Sequence, residues 1–209
     1  MSWPRRIALL FGVIFLLFLT LGAHYYYKGF YKNAKTVVPD EEIRRLGEKA
    51  LIQKGYLSRH GFNTDVCFLV DMRLPSGKNR FFAYDLRRDS ILLAGLVAHG
   101  CGASNFSADP IFSNVDGSGC TSLGRYRVGY KYAGQFGPAY KLFGLDTSNS
   151  QAFVRNVVLH AYLSVPAHET YPIPICNSRG CPMVSPVFLD ALRPVIEKSR
   201  RPICLWIFN

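Results

Sequence analysis

Acidic side chains are scarce in this chain of 209 residues, where 14 aspartates and glutamates stand against 25 lysines and arginines. The formal net charge of +11 favours an anionic partner. The basic residues form no face interleaved with aromatic residues, and pairs such as Arg87-Arg88 and Arg200-Arg201 stand alone. This pattern argues against nucleic acid as the partner and favours anionic lipid or a carboxylate-bearing polymer.

Cysteine occurs six times without the spacing of a disulfide framework, and a chain of this size can be stable without disulfides. Cys101 and Cys120 are the candidate pair for a bridge. Four other residues have side chains of the types that bind zinc: His160, His168, Cys176 and Cys181. The spacing of the two cysteines in that group is looser than in a typical zinc knuckle, so we expect no metal and no other cofactor.

The N-terminal segment lacks charge over a long run. Arg5 and Arg6 precede an uncharged stretch, Ile7 to Tyr27, which is just long enough to cross a bilayer as a helix and ends in aromatic residues typical of a membrane interface. A cleaved signal peptide is the alternative, because Leu21-Gly22-Ala23 offers small residues for cleavage. No cysteine follows the run, which argues against a lipoprotein anchor. We predict that residues 1–27 are a retained membrane anchor that places the rest of the chain outside the cytoplasm, in the cell envelope.

A stalk and a docking helix are predicted for residues 28–58. Asp40 is a plausible N-cap, and the helical pattern continues to Gly55. Apolar residues recur at helical spacing within it: Ile43, Leu46, Ala50 and Leu51. We expect this face to lie on the domain that follows.

Residues 59–209 change to the pattern of a mainly β domain. Short apolar runs separated by glycine-rich turns predict packed, mixed β-sheets with few short helices. The predicted elements are a hairpin of Val66–Met72 and Arg80–Leu86, a strand over Ile91–Ala98, a helix over Val187–Lys198 and a buried strand over Ile203–Phe208. Tyr126, Tyr130 and Tyr132 fall at even spacing, which predicts one face of a strand lining the core or a cleft.

The chemistry of the chain is concentrated between His160 and Cys181. The apolar run Phe153–Leu159 predicts a strand that delivers His160 at its end, and turn-forming residues before Pro182 predict that Cys181 emerges from a tight turn. An imidazole can activate a thiol as a nucleophile, and the backbone N–H groups of Gly180 and Cys181 can form an oxyanion hole. The alternative is that Cys181 is a small buried apolar residue and His160 an ordinary core histidine.

The same region resembles the signature of the L,D-transpeptidases, in which a histidine precedes a Ser-x-Gly-Cys motif by about seventeen residues. Further stretches resemble the murein L,D-transpeptidase catalytic domain, in order over roughly residues 56 to 208. These stretches are Val97-Ala98-His99-Gly100, Phe112-Ser113-Asn114, Gly117-Ser118, Thr121-Ser122-Leu123-Gly124-Arg125-Tyr126, Tyr132-Ala133-Gly134, Leu142-Phe143-Gly144-Leu145-Asp146 and Cys181-Pro182-Met183-Val184. The resemblance implies that fold, with Cys181 as the nucleophile and His160 as its base.

The resemblance also implies a cleft for the stem peptides of peptidoglycan. It places five residues in or beside that cleft: His99, Ser113, Asn114, Ser122 and Tyr126. His99 has the alternative of tying down the loop after a strand. Ser178 can orient His160 or steady the turn, and Arg179 can attract a substrate carboxylate. Arg179 stands where many members carry histidine or an aromatic residue, which leaves substrate recognition open.

The expected reaction begins with attack of the Cys181 thiolate on a stem tetrapeptide, which releases D-Ala and leaves a thioester. An amine of a second stem would then form a three-to-three cross-link, whereas water would make the protein an L,D-carboxypeptidase or another cysteine hydrolase of wall-linked peptides. A non-catalytic, peptidoglycan-binding envelope protein is the alternative from another class.

Overall fold

The computed structural model describes residues 12, 15–21 and 39–209. The chain divides into two units, residues 1–43 and residues 44–209. Residues 15–21 are helical, but most of the predicted anchor over Ile7–Tyr27 lies outside the described residues, as does the predicted stalk up to residue 38. In the described ranges, no helix is long and apolar enough to span a bilayer. The predicted membrane anchor stays a prediction.

Two α-helices, one 3-10 helix and nine strands are formed between residues 40 and 209. In chain order they are α1 (Asp40–Arg59), β1 (Val66–Asp71), β2 (Phe81–Asp85), β3 (Ser90–Gly95), β4 (Val97–Ala98), β5 (Gly124–Gly134), β6 (Gly137–Gly144), the 3-10 helix (Thr147–Asn149), β7 (Val158–Ala161), β8 (Met183–Val184), α2 (Pro186–Glu197) and β9 (Cys204–Phe208). The predicted mainly β class is confirmed.

The strands form one nine-stranded mixed sheet in the order β3-β2-β1-β9-β5-β6-β7-β8-β4. Strands β1 and β9 are parallel, as are β7 and β8, and the other neighbouring pairs are antiparallel. The sequence predicted packed sheets, but β9 pairs with β1 on one side and β5 on the other, so it joins two groups of strands into a single sheet.

Helix α1 begins at Asp40, as predicted, with three acidic residues in its first turn, where they interact favourably with the helix dipole. It ends in a Schellman motif: Gly61 has a φ of 72°, and the N–H of Phe62 donates to the carbonyl of Leu57 (3.1 Å). Leu57 and Phe62 are both buried, so the residues that end the helix also contribute to the apolar interior.

The inner face of α1 is fixed to the sheet by apolar and polar contacts. Leu46 and Ala50 are buried, which confirms part of the predicted face, whereas Leu51 is 74% exposed. The guanidinium of Arg125 on β5 lies 4.5 Å from the ring of Tyr56, and its Nε donates to Gln53 Oε1 (3.0 Å). Arg125 therefore joins α1 to the centre of the sheet.

The predicted hairpin is present as antiparallel β1 and β2. The three tyrosines expected on one face of β5 do not share an environment, because the β5–β6 pairing contains an irregularity between Val128 and Lys131. Tyr126 is fully buried, whereas Tyr130 is 59% and Tyr132 39% exposed. A β-bulge of this kind re-aims the side chains that follow it.

Helix α2 covers the main hydrophobic core. Ser185 is its N-cap, since its hydroxyl accepts a hydrogen bond from Phe188 N (3.2 Å), and Pro186 occupies the first turn. Leu189 and Leu192 are buried, and the ring of Phe188 packs edge-on against Phe81 of β2 (5.4 Å between centroids). The helix and sheet therefore enclose one core beneath strands β7 and β8.

Candidate active site

The candidate site lies where β7 and β8 run side by side. All four residues of β7 are buried, and His160 pairs with Ala139 of β6 on one side and Met183 of β8 on the other. The strand is shorter than predicted, and His160 is its next-to-last residue, close to the end at which the sequence placed it. Residues 151–156 form turns instead.

The turn before β8 is held in place by two hydrogen bonds of Ser178. The hydroxyl of Ser178 accepts a hydrogen bond from Gly180 N (3.0 Å), and Ser178 N donates to the carbonyl of His99 (2.8 Å). Gly180 has a φ of 111°, and a Cβ at this position would lie 2.6 Å from the carbonyl oxygen of Cys120. Only glycine satisfies both the backbone angle and the close approach, and Cys181 follows it directly.

His160 and Cys181 face the same cleft of about 430 Å³. Its lining consists of Cys101, Ser104, Asn105, Phe136, His160, Tyr162, Asn177, Ser178, Arg179, Cys181 and Met183. A larger cavity of about 680 Å³ shares Phe136 and Tyr162 with it. The two aromatic rings pack edge to face (5.3 Å between centroids) and thus form a wall common to both cavities.

His160 is held in one tautomer. Its Nδ1 lies 3.0 Å from the carbonyl oxygen of Ala161, and a carbonyl can only accept, so Nδ1 carries the proton of the neutral ring and Nε2 keeps a lone pair. Burial lowers the pKa of His160, although the Ala161 carbonyl acts in the opposite direction. The ring also stacks on Phe136 with centroids 5.5 Å apart. His160 is therefore a neutral, oriented base at neutral pH.

The Cys181 thiol is half-buried and lies 3.8 Å from the carbonyl oxygen of Asn156. Burial raises the pKa of Cys181, whereas a backbone hydrogen bond from Val158 and the charges of Lys141 and Arg155 lower it. The arrangement places a protonated thiol and a neutral imidazole in one cleft, as acyl transfer through a general base requires.

Comparison with known proteins agrees with this geometry. A sequence model of the L,D-transpeptidase catalytic domain matches residues 44–208. This chain belongs to the L,D-transpeptidase catalytic domain family. No protein of curated function matches it.

Similar solved structures have the same family name or a role in cell shape. An L,D-transpeptidase from Mycobacterium smegmatis is 11% identical, with a TM-score of 0.42 over 69% of this chain and 59% of that one. A mutant L,D-transpeptidase from Enterococcus faecium is 13% identical, with a TM-score of 0.43 over 69% and 50%. The helical cell shape determining protein Pgp2 from Campylobacter jejuni is 15% identical, with a TM-score of 0.42 over 75% and 55%. The present chain spans between half and two thirds of the length of each.

The structure of this L,D-transpeptidase family member brings four of the predicted site residues together: His160, Ser178, Arg179 and Cys181 all line the cleft. Ser178 steadies the turn, which was one of its two predicted roles. Arg179 is exposed, and its Nη1 donates to the carbonyl of Gly102 (3.1 Å). The Gly180 N–H is already donated to Ser178, so its predicted part in an oxyanion hole stays a prediction.

The other five predicted residues lie outside the lining of the cleft. His99 is fully buried, and its Nδ1 accepts from Arg80 Nη2 (2.8 Å), so Nε2 carries the ring proton. Burial and Arg80 lower the pKa of His99 to about 4, and hydrogen bonds to the carbonyls of Ser107 and Asp109 oppose this shift. These contacts match the alternative in which His99 ties down the loop that follows its strand.

The remaining predicted residues make contacts within the protein. Asn114 Nδ2 donates to the carbonyl of Thr147 (3.1 Å), and Ser113 Oγ accepts from Val115 N (3.1 Å). Ser122 and Tyr126 are buried and share a hydrogen bond between their hydroxyls (2.6 Å). Their predicted part in binding substrate stays a prediction.

All six cysteines are free thiols, so the expected bridge between Cys101 and Cys120 is not formed. The Cys101 thiol lies 2.9 Å from the carbonyl of Ser104, and the Cys120 thiol lies 3.5 Å from that of Ser118. Over the residues that the structure describes, no three His, Cys, Asp or Glu side chains are grouped closely enough to hold a metal ion.

Three residues near the thiol were missed by the sequence reasoning: Phe136, Lys141 and Arg155. Phe136 lies in the tight turn between β5 and β6, and glycines on both sides of Gln135-Phe136 are a hairpin signal that was available. Lys141 and Arg155 were not recognisable, because only the folded chain brings them near Cys181: Lys141 by the pairing of β6 with β7, and Arg155 by its hydrogen bond to the carbonyl of Cys120.

Proposed function

We propose that this protein is a peptidoglycan L,D-transpeptidase that acts through a thioester on Cys181. The observation that carries the proposal is the shared cleft, in which an oriented neutral imidazole and a thiol on a rigid turn face the same space. Membership of the L,D-transpeptidase catalytic domain family supports the same chemistry.

In the first step, the thiol proton passes to Nε2 of His160 as the sulfur attacks the carbonyl that precedes the terminal D-Ala of a stem tetrapeptide. A carbon–sulfur bond forms, the carbon–nitrogen bond breaks, and D-Ala leaves with the proton held by His160. The backbone N–H of Cys181 is the donor we assign first to the developing oxyanion, because Gly180 N–H is donated to Ser178.

In the second step, an amine from another stem attacks the thioester and gives a proton to His160. A carbon–nitrogen bond forms and the carbon–sulfur bond breaks, so the new amide is a three-to-three cross-link and the sulfur takes back its proton from His160. The second cavity supports transfer over hydrolysis, since it adjoins the cleft through Phe136 and Tyr162 and has room for an acceptor peptide. Arg193 and Asp190 line it and form an ion pair with each other, so a charged group of that peptide would have to compete with this pair.

An L,D-carboxypeptidase is the second candidate, favoured by the openness of the cleft to water at the exposed Phe136 and Arg179. A peptidoglycan-binding protein without activity is the third. In each case the substrate or ligand lies in the cell wall, so we place the protein in the cell envelope. Its basic net charge of +11 suits peptidoglycan carboxylates.

The test is incubation of the purified protein with disaccharide tetrapeptide, followed by mass spectrometry. We expect loss of D-Ala together with dimers, and neither product with Cys181→Ala. Cys176→Ala is the matched control, since Cys176 is also partly exposed but lies outside the lining of the cleft. Loss of D-Ala without dimers would identify a carboxypeptidase, and wall binding without any change in the peptide would leave only the binding protein.

A further inference from the structure

A buried ammonium group lies near the candidate nucleophile. Lys141 on β6 is only 5% exposed, and its Nζ donates to the carbonyl of Phe153 (3.0 Å) and to Oδ1 of Asn156 (3.0 Å). Among the described residues, it forms no ion pair with a carboxylate. Burying a charge without a counter-charge is unfavourable, so the position calls for an anion that forms nearby.

Cys181 becomes such an anion when it loses its proton, and Asn156 contacts both Lys141 and the Cys181 thiol. The side chain of Asn156 binds Lys141, whereas its backbone carbonyl faces the Cys181 thiol at 3.8 Å. Asn156 has a φ of 53°, an unusual conformation for a residue other than glycine. This conformation lets one residue present its amide to the lysine and its carbonyl to the cysteine.

A second cation packs against the same turn. Arg155 Nη2 donates to the carbonyl of Cys120 (2.6 Å) and lies 3.2 Å from where a Cβ on Gly180 would stand. Its other contacts are also to neutral oxygens, for example the carbonyl of Ser113 (2.9 Å). Within residues 39–209, Arg155 likewise pairs with no carboxylate.

Cys181 and Lys141 each affect the pKa of the other. The positive charges of Lys141 and Arg155 lower the pKa of Cys181, against the larger effect of burial, which raises it. The Cys181 anion in turn raises the pKa of Lys141, which burial lowers. The titratable or charged groups around the thiol are Tyr126 on β5, Lys141 on β6, Arg155 before β7, His160 on β7 and Arg179 in the turn before β8.

We propose that Lys141 is a positioning residue whose charge stabilises the thiolate of Cys181, with Asn156 holding its ammonium group in place and Arg155 as a second cation. The proposal rests on the role of Cys181 as the nucleophile. It explains how a half-buried thiol becomes reactive although its hydrogen bond in the resting state goes to a carbonyl. The lysine acts before any substrate is present.

The test measures alkylation of Cys181 by iodoacetamide against pH in the full-length protein, with peptide mapping to distinguish it from the other thiols. Lys141→Gln removes the charge but keeps a donor for the two oxygens, so we expect the alkylation pKa to rise by about one pH unit and the rate near neutral pH to fall about tenfold. Lys141→Arg retains the charge and should restore most of the rate. Lys131→Gln is the matched control, because Lys131 is exposed and pairs with Glu197 (2.8 Å).

An unchanged alkylation profile in folded Lys141→Gln would overturn the proposal. If that variant does not fold, Arg155→Gln is measured in the same way, and we expect a rise in the alkylation pKa there too; no change would again overturn the proposal. The assay needs no peptidoglycan. The alkylation pKa of Cys181 could therefore rise in Lys141→Gln although the wild-type protein leaves tetrapeptide unchanged. That pair of results would support the role of Lys141 and reject the proposed function.

Discussion

Replacing Gly180 by alanine should disable the site through the backbone. The added Cβ would stand 2.6 Å from the carbonyl oxygen of Cys120, closer than real Cβ atoms come, and the φ of 111° is strained for any L side chain. The backbone strain costs about 1–2 kcal/mol, and relieving the clash by moving packed groups costs about 1–3 kcal/mol more. We therefore expect Gly180→Ala to lower the free energy of unfolding by roughly 3 kcal/mol.

The matched control is Gly61→Ala. Gly61 has a φ of 72°, but no atom lies within 4 Å of where its Cβ would stand. The control carries the backbone strain without the clash, so its expected loss is about 1 kcal/mol. In thermal unfolding, the two losses correspond to roughly 9 °C and 3 °C for a chain of this size.

The functional readout is release of D-Ala from tetrapeptide. A shift of about 1 Å in a catalytic group costs roughly 100-fold in rate, so Gly180→Ala should lose about that factor while Gly61→Ala stays within twofold of the wild type. Equal activity in the two variants would show that the turn tolerates displacement. The reasoning from the close approach to Cys120 would then be wrong.

Three further predictions follow. Because burial lowers the pKa of His160 below its usual 6.5 and the neutral ring is the base, the acid limb of the kcat/KM profile should lie below pH 6.5; an inflection above that value would contradict the assignment. Arg45→Met leaves the fully buried Asp71 carboxylate without its ion-pair partner, although Arg73 N still donates to it (3.1 Å). Denaturant unfolding should therefore show a loss of about 3 kcal/mol, against less than about 1 kcal/mol for Arg44→Met, which breaks only an exposed pair. The pKa of His99 falls from 6.5 to about 4 on folding, so the unfolded state takes up a proton before the folded state does as the pH drops. The free energy of unfolding should therefore decline below pH 6.5, and it should decline less steeply in His99→Gln.

Local patterns were enough to predict the elements that depend on neighbouring residues. Helix α1 begins at Asp40, and the β1–β2 hairpin lies where alternating runs flank a turn. The position of β9 in the middle of the sheet was not predictable, because a buried apolar strand has the same pattern wherever it is inserted. Its pairing is decided by contacts between residues far apart in sequence.

The same limit applies to the candidate site. His160 and Cys181 were predicted from residue type and motif, and both line the cleft. The stretch before His160 was predicted as a strand from its apolar residues, but Phe153 and Val154 are exposed, and the carbonyl of Phe153 binds Lys141 instead of a neighbouring strand. Asn156 N also donates to that carbonyl (3.1 Å), so hydrogen bonds within the turn and one from Lys141 replace the strand pairing that the apolar residues favoured.

The central position of β9 also determines when the domain can complete its fold during synthesis. A nascent chain that has emerged only as far as Arg201 contains every strand on both sides of β9 but lacks the strand that hydrogen-bonds to β1 and β5. Until residues 204–208 emerge, two facing strand edges stay unpaired, and such edges are sites of mispairing with other chains. His160, Cys181 and the cleft that they line are therefore all synthesised before the sheet that supports them can be joined.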